Sequence, residues 1–403
     1  MVPNVLLVQT LLWPNAARLA LAFRATECRV YALCRRKYPL CTLSSVEGIY
    51  AYHPFAPLRS LFAAIKAADP HLIIPCDDPA VAIICRLYSW LDEATELGSR
   101  MRTMIARSFG NPDSYQIAST RSELASIATP AGVLLPRTSR ISTVEELGDW
   151  LRREGFPAVL KVNHSWGGTG VTIIRNLQEA RLAYRRMTGP QELARAIKRL
   201  VWNQEPELFL QRSRGLRPVL SIQAYIPGRP ANCAVACWQG EVIASIEVEV
   251  LVTQNPTGNA TVVRVIRNPK IVKTARSVAR WLGISGFFGF DFVLEEASGR
   301  PYLVEINPRA TQINHLALGA GRDLPTALRA RISGEPVRAA RAVTDCETIA
   351  LFPQEWRRDP QSRFFLTAYH DVPYDEPELV RAYVAAPEIM RDRDTARANP
   401  RFR

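Results

Sequence analysis

Two apolar stretches carry isolated oxygen and nitrogen ligands at regular spacing: Phe287-Phe288-Gly289-Phe290-Asp291-Phe292-Val293-Leu294 and Pro301-Tyr302-Leu303-Val304-Glu305-Ile306-Asn307-Pro308-Arg309. Each reads as a β-strand, with Glu296-Ala297-Ser298-Gly299-Arg300 as the turn between them. A period of two puts Gly289, Asp291 and Val293 on one face of the first strand. It puts Leu303, Glu305 and Asn307 on one face of the second. A turn centred on Ser298 sets Asp291 opposite Glu305, with the Asn307 carboxamide one step along. Like charges placed directly opposite each other destabilise a sheet. A hard divalent cation relieves them, and two carboxylates with an amide oxygen suit magnesium shared with nucleotide phosphates. The alternatives are a hairpin with a solvated polar face, an ion pair between Asp291 and Arg309, and a proton shared between the carboxylates.

A second group lies upstream. Phe156-Pro157-Ala158-Val159-Leu160-Lys161 reads as a strand ending in one of only six lysines. Its long cation can reach phosphates as a point charge, or it is simply solvated. Asn163-His164-Ser165-Trp166-Gly167-Gly168-Thr169-Gly170 follows directly. Gly167, Gly168 and Gly170 free backbone N–H groups to approach phosphate oxygens as an anion nest. Trp166 either caps such a site or is an exposed loop aromatic, and His164 reads as a polar loop residue.

The surrounding elements must position these groups. The first hundred residues alternate strand and helix: strands at Val5–Val8, Val30–Leu33 and His71–Pro75, helices over 15–25, 58–68 and about 80–90. That spacing predicts an open parallel sheet, and no G-x-G-x-x-G follows the first strand. Residues 108–120 read as a linker and 120–130 as a helix. Ser142-Thr143-Val144-Glu145 reads as a capping box headed by Ser142, opening a helix that stops at Gly155. Strands are expected at 158–162, 171–174, 219–226, 232–238, 241–252 and 261–267, with helices over 178–202, 270–282 and, last, 324–333.

The run from Asp291 through the turn to Glu305-Ile306-Asn307-Pro308-Arg309, with the strand at Lys161 and the glycine loop behind it, resembles the ATP-grasp superfamily, in particular its carboxylate–amine ligases and carbamoyl-phosphate-synthase-like domains. The resemblance covers about 115–335. It implies two α+β lobes gripping ATP, preceded by a small Rossmann-like parallel-sheet domain, an α/β and α+β architecture overall. The expected divisions are 1–115 for that first domain and 116–335 for the ATP-grasp domain (small lobe about 140–225, large lobe about 226–335). Residues 336–403 form an extension of unknown role. The resemblance implies that Asp291, Glu305 and Asn307 hold two magnesium ions, with manganese as the substitute. Arg309 then contacts phosphate or the reacting carboxylate, and Lys161 and the glycines hold the nucleotide. Gln223-Ala224-Tyr225-Ile226 resembles the hinge at the adenine edge, with Ala224 where the family often has Glu. Arg121 stands where a phosphate-directed lysine is common, and Arg264 either points to the phosphates or outward. Asn232 is a candidate for the ribose hydroxyls.

The implied reaction is ligation: ATP activates a carboxylate as an acyl phosphate for attack by an amine or another nucleophile. An ATP-grasp kinase or carboxylase is the alternative within the fold, and a non-catalytic nucleotide-binding or regulatory protein the alternative outside it. The segment 181–217 carries nine basic and three acidic residues. It is expected to be a lid or acceptor-recognition element for an anionic substrate, or else a solvated helix face.

Composition narrows the setting. Hydrophobic residues make up 47% and charged residues 22% of 403, ordinary for a globular chain. The net charge of +13 comes from 51 basic residues, of which 45 are arginine, with no nucleic-acid motif beside them, so nucleic-acid binding is not expected. No leader and no membrane span are read, so the expected setting is cytoplasmic. Eight cysteines without a C-x-x-C pair read as free thiols, Cys233 and Cys237 included. The expected partners are small-molecule or peptide-like carboxylates and amines, with a homodimer as the default assembly.

Overall fold

In the computed structural model the described residues are 1–114, 124, 132–162, 170–189, 219–338 and 341–385. They form three sheets. The first is parallel, ordered β3-β2-β1-β4, from β1 (Asn4–Val8), β2 (Arg29–Cys34), β3 (Gly48–Ala51) and β4 (Leu72–Pro75). Its central strand is a continuous apolar run because both faces are covered. Val5 and Leu7 pack with helix α1 (Asn15–Ala25). Leu6 and Val8 pack with α2 (Pro57–Ala68), α3 (Asp78–Trp90) and α4 (Glu96–Phe109).

Two of these elements go beyond the sequence reading. β3 is an edge strand with no fully buried residue, so it lacks an apolar run. α4 is polar overall and buries Met101, Ile105 and Phe109, a stripe of one apolar residue every fourth position.

The second sheet is antiparallel, ordered β5-β8-β6-β7, from β5 (Thr138–Ile141), β6 (Ala158–Val162), β7 (Val171–Ile174) and β8 (Leu220–Ala224). Ala158, Leu160, Leu220 and Ile222 face α5 (Val144–Glu154) and α6 (Leu177–Thr188). The N-cap of α5 is Thr143, not Ser142. The Thr143 hydroxyl accepts from Glu146 N at 3.1 Å, and Glu146 reaches back to Ser142 N at 2.8 Å. The box is thus shifted by one residue, because it is Glu146, not Glu145, that sits three positions beyond the cap. α6 ends at Thr188; the rest of the expected helix over 178–202, beyond Gly189, lies outside the described residues, as does the helix expected over 120–130 apart from Leu124.

The third sheet has seven strands, ordered β13-β12-β9-β10-β11-β14-β15. They are β9 (Gly228–Trp238), β10 (Glu241–Thr253), β11 (Ala260–Ile266), β12 (Gly286–Glu295), β13 (Pro301–Asn307), β14 (Thr348–Leu351) and β15 (Tyr369–Asp371). One face packs Phe288, Phe290 and Phe292 on α7 (Pro269–Leu282) through Ile271, Val278 and Leu282. The other face joins the first sheet in a single core that includes α1, α8 (Leu324–Ser333) and Phe287, whose ring lies 5.8 Å from that of Phe23.

The chain beyond 336 is part of this architecture. It supplies β14 and β15 to the large sheet, and after α8 it adds α9 (Gln354–Arg358), α10 (Phe364–Thr367) and α11 (Pro377–Ala385). α8 is therefore not the last helix. The first two of these later helices have five and four residues, too short for a helical period to register. Among the described residues no helix is long and apolar enough to cross a membrane.

The end of α4 is pinned to the large sheet. Gly110 pairs with Ile284, Asn111 N donates to Gly283 O at 3.1 Å, and Ser285 N donates to Phe109 O at 2.9 Å. Gly110 holds φ +86°, and a Cβ there would sit 2.1 Å from the Gly283 carbonyl oxygen. Gly110→Ala is expected to cost about 1–3 kcal/mol from backbone strain alone, with more for the displaced junction. Chemical unfolding of the two proteins measures the loss.

Candidate active site

The hairpin β12–β13 opposes Asp291 to Glu305 and Gly289 to Asn307, the pairing expected from a turn centred on Ser298. A bulge follows: Phe292 pairs with Leu303, so Val304 is the extra residue. The bulge turns Leu303 into the apolar cluster beside Phe290, Phe292 and Ile306. Leu303 therefore does not share the face of Glu305, as strict alternation had implied. The local twist separates an apolar face from a face carrying two carboxylates and an amide.

Both oxygens of Asp291 are engaged. Oδ1 accepts from Asn232 Nδ2 at 2.6 Å, and Oδ2 accepts from Asn307 Nδ2 at 3.1 Å. Asn232 lies directly across β9 from Asp291. It thus donates to the carboxylate pair, and an Asn beside a strand's acidic partner was not a signal readable from spacing. Burial, followed by the charge of Glu305, pushes the Asp291 carboxyl up to about 6, against the pull of Asn232, Asn307 and Arg309.

Arg309 links this hairpin to the N-terminal sheet. Its Nη2 donates to Asn307 Oδ1 at 3.1 Å, and its Nε donates to Asp78 Oδ1 at 2.9 Å. Asp291 is therefore not its ion-pair partner; Asp78 is. Burial pulls the guanidinium pKa down, but Asp78, Glu305 and Asp77 outweigh it and hold it above the ordinary value. Asp78 is fixed in turn by Asp77, the N-cap of α3. Asp77 accepts from Thr10 N, Leu11 N, Thr10 Oγ1 and Ala80 N at 2.7–2.9 Å. Neither aspartate was singled out in the sequence. The available signal was Asp77-Asp78-Pro79 just after a parallel strand, at the strand end where sites assemble in such sheets.

Lys161 is buried on β6, on the face away from α5 and α6. Its Nζ donates to Gln223 Oε1 at 2.7 Å, and Gln223 Nε2 donates to Thr138 Oγ1 at 3.1 Å. Gln223 thus ties Lys161 to β5. A cavity of about 200 Å³ lies beside it, lined by Leu135, Arg137, Thr138, Gln223 and Leu303, among others. It brings the Lys161 strand pair next to the strand that carries Glu305. Ala224 N donates to Arg137 O at 2.8 Å, Tyr225 is exposed, and Ile226 is half-buried as the chain passes into β9.

Arg264 is not brought to this face. The register aligns it with Glu249 and Thr348, and Glu249 with Ala231, which packs in the α7 cluster. Arg264 is exposed on the side of the sheet opposite Asp291. Gly170 is buried, and its carbonyl accepts from Val162 N at 2.8 Å. Gly167, Gly168, Arg121 and 190–217 lie outside the described residues. Cys233 and Cys237 are buried free thiols in the α7 cluster, and burial raises both pKa values.

The raised Asp291 carboxyl has a stability consequence. A carboxyl whose folded pKa exceeds its unfolded value favours folding at low pH, and that contribution is lost as pH rises through the folded value. Without divalent cations, wild-type stability relative to Asp291→Asn should therefore fall between about pH 4 and pH 6.5, by roughly 2–3 kcal/mol. Unfolding curves of both proteins in chelator across that range test this, and parallel curves would refute it.

A family model described as an ATP-grasp domain matches residues 130–312. No curated protein matches the chain. Solved structures do. One is the biotin carboxylase domain dimer of the Hydrogenobacter thermophilus 2-oxoglutarate carboxylase, in complex with MgADP, ADP and bicarbonate. It has 15% identity and a TM-score of 0.59, covering 85% of this chain and 72% of that one. Another is an L-amino acid ligase from Bacillus licheniformis, with 14% identity and a TM-score of 0.58, covering 84% and 76%. A third is N5-carboxyaminoimidazole ribonucleotide synthetase from Thermotoga maritima, with 15% identity and a TM-score of 0.55, covering 85% and 78%. Residues 130–312 thus match an ATP-grasp domain, and the described sheets share the fold of these solved structures.

Proposed function

We propose that this protein is an ATP-dependent ligase that activates a carboxylate as an acyl phosphate and joins it to an amine. The observation that carries the reading is the partly buried confrontation of Asp291 with Glu305, flanked by Asn307 and Arg309. Two carboxylates held opposite each other call for a cation, and the donor set is all oxygen, which suits magnesium. Asp291, Glu305 and the Asn307 carbonyl are the residues that would hold it. When bound, the metal neutralises charge on the nucleotide phosphates.

The chain's own residues do the rest. Lys161, aligned by Gln223, binds phosphate oxygens as a fixed cation. Arg309, held by Asp78, presents a permanently charged guanidinium to the acceptor carboxylate or the transferring phosphoryl group. The γ-phosphoryl group passes to a carboxylate oxygen and ADP leaves. An amine nitrogen then attacks the carbonyl carbon, the C–N bond forms and the C–O bond to phosphate breaks. Phosphate departs with that electron pair and takes up the nitrogen's proton. Catalysis in this scheme is mainly positioning and charge neutralisation.

A second reading is carboxylation, with bicarbonate as the activated acid. The likeness to a biotin carboxylase domain in complex with bicarbonate favours it. ADP release that requires bicarbonate separates this reading from release that requires an organic carboxylate and an amine.

Calorimetric titration of MgATP into wild type, Glu305→Ala and Lys161→Ala tests the reading. Wild type should bind with magnesium-dependent affinity. Each variant should weaken binding at least about 10-fold, the loss of one charge-assisted contact of about 1.5–3 kcal/mol. No binding by the wild type would refute the catalytic proposal.

A further inference from the structure

A run of buried polar atoms without partners among the described residues lies where β1 ends, α1 begins and the loop after Arg309 passes. Gln9 is 1% exposed; its Nε2 donates to Trp13 O at 2.8 Å, and its Oε1 has no partner among the described residues. Asn15, turned so that its oxygen faces donors, accepts from Trp13 Nε1 at 2.8 Å and Gln312 N at 3.1 Å. The buried Gln312 Oε1 has no partner among the described residues. Asn314, 1% exposed, accepts from Thr311 N and Thr311 Oγ1, both at 2.6 Å, and leaves Nδ2 unpartnered. The Gln354 amide spends one end on Asn15 at 3.3 Å and leaves the other unpaired.

These residues adjoin Arg309. Ala310 N donates to Pro75 O at 3.1 Å, which docks the loop on the end of β4, and Arg309 itself is paired with Asp78. The cluster therefore occupies the carboxyl ends of parallel strands, where open α/β sheets take ligands.

The nearby charges are already spent. Asp371 is 1% exposed and accepts from Arg18 and from His315 Nε2, the latter at 2.7 Å. Arg18 and His315 hold its carboxyl below the usual range despite burial. Asp77 is saturated by four donors. Among the described residues, the atoms that remain without partners here include amide acceptors (Gln9, Gln312) and an amide donor (Asn314), together with Arg18 Nε and His315 Nδ1 beside Asp371. A buried orphan of this kind is costly, and several in one contiguous stretch ask for a ligand offering both N–H donors and an oxygen acceptor.

We propose that this amide cluster binds the nucleophile of the ligation, and that the nucleophile is an amine of the amino-acid class, carrying a carbonyl or carboxylate oxygen of its own. The proposal rests on the ligase reading above. Amide oxygens suit the task physically. They accept an amine N–H without the full negative charge that would favour its protonated, non-nucleophilic form. A carboxylate in their place would hold an ammonium.

Gln312→Met tests this, because the only hydrogen bond described for Gln312 uses its backbone N–H, so the variant removes the orphan and little else. The twenty L-amino acid amides, which carry an amine and a carbonyl but no carboxylate to activate, are titrated calorimetrically into wild type and variant, with and without magnesium and β,γ-imido-ATP. At least one amide should bind wild type saturably, and Gln312→Met should weaken it at least 10-fold while nucleotide affinity stays within twofold. The variant without ligands should melt a few degrees higher, since a buried orphan is gone. Absence of binding by every amide in a protein that binds the nucleotide overturns the proposal. So does equal amide affinity in the variant with a lower melting point, which would make the cluster a site for structural water. Failure to bind the nucleotide counts against the ligase reading instead, and amide binding measured without nucleotide still decides the present one.

Discussion

Two carboxylates placed opposite each other on a hairpin are the constraint around which this molecule is arranged. Asp291 and Glu305 face one another because β12 and β13 pair in one register, and that register is held by the aromatic face behind them. Phe288, Phe290 and Phe292 bury on α7, so a slip by one residue would expose three rings and bury the acids. Hydrophobic burial thus enforces an electrostatic confrontation. Asn232 and Asn307 offset part of it by donating to Asp291, and Arg309 adds positive charge nearby.

That compensation reaches through the chain. Arg309 is oriented by Asp78, which stands at the start of α3 because Asp77 caps the helix and clamps the end of β1. A permanently charged guanidinium is tied to a strand end more than two hundred residues away in sequence. The shared core beneath, with Phe23 against Phe287, makes the two sheets one support, so the hairpin and the N-terminal strand ends keep a fixed relation. The β5–β8 sheet is attached differently. It has its own apolar cluster, and its cleft-side groups, Lys161, Gln223 and Thr138, hold one another in a hydrogen-bonded row. Such a unit can present a cation to a phosphate without depending on the carboxylate pair for its order.

The C-terminal segment earns its place by the same physics. β14 covers the edge of β11, and β15 pairs beside it. The buried Asp371 at the end of β15 is neutralised by Arg18 of α1 and hydrogen-bonded by His315 of the loop after Arg309. A buried carboxylate between a guanidinium and an imidazole orders three segments distant in sequence, and loss of either partner would leave a charge stranded in the core.

The sequence by itself determined the local facts. The alternation of Phe with Gly289 and Asp291 defined a strand with two unlike faces, and the turn at Ser298 set its register against Glu305. Lys161 at a strand end and the parallel β1, β2 and β4 were legible for the same reason: each is written in a short run with its own period. The tertiary structure decided what depends on distant neighbours. The bulge at Val304 turned Leu303 inward, and Asp78, not Asp291, became the partner of Arg309. Asn232 joined the carboxylates, Arg264 fell on the far face, and the residues after 336 became sheet. A period assigns a side chain to a face of its own element. Only the packing of elements fixes which face meets which charge, because that choice balances burial and Coulomb energy summed over segments that no local window contains.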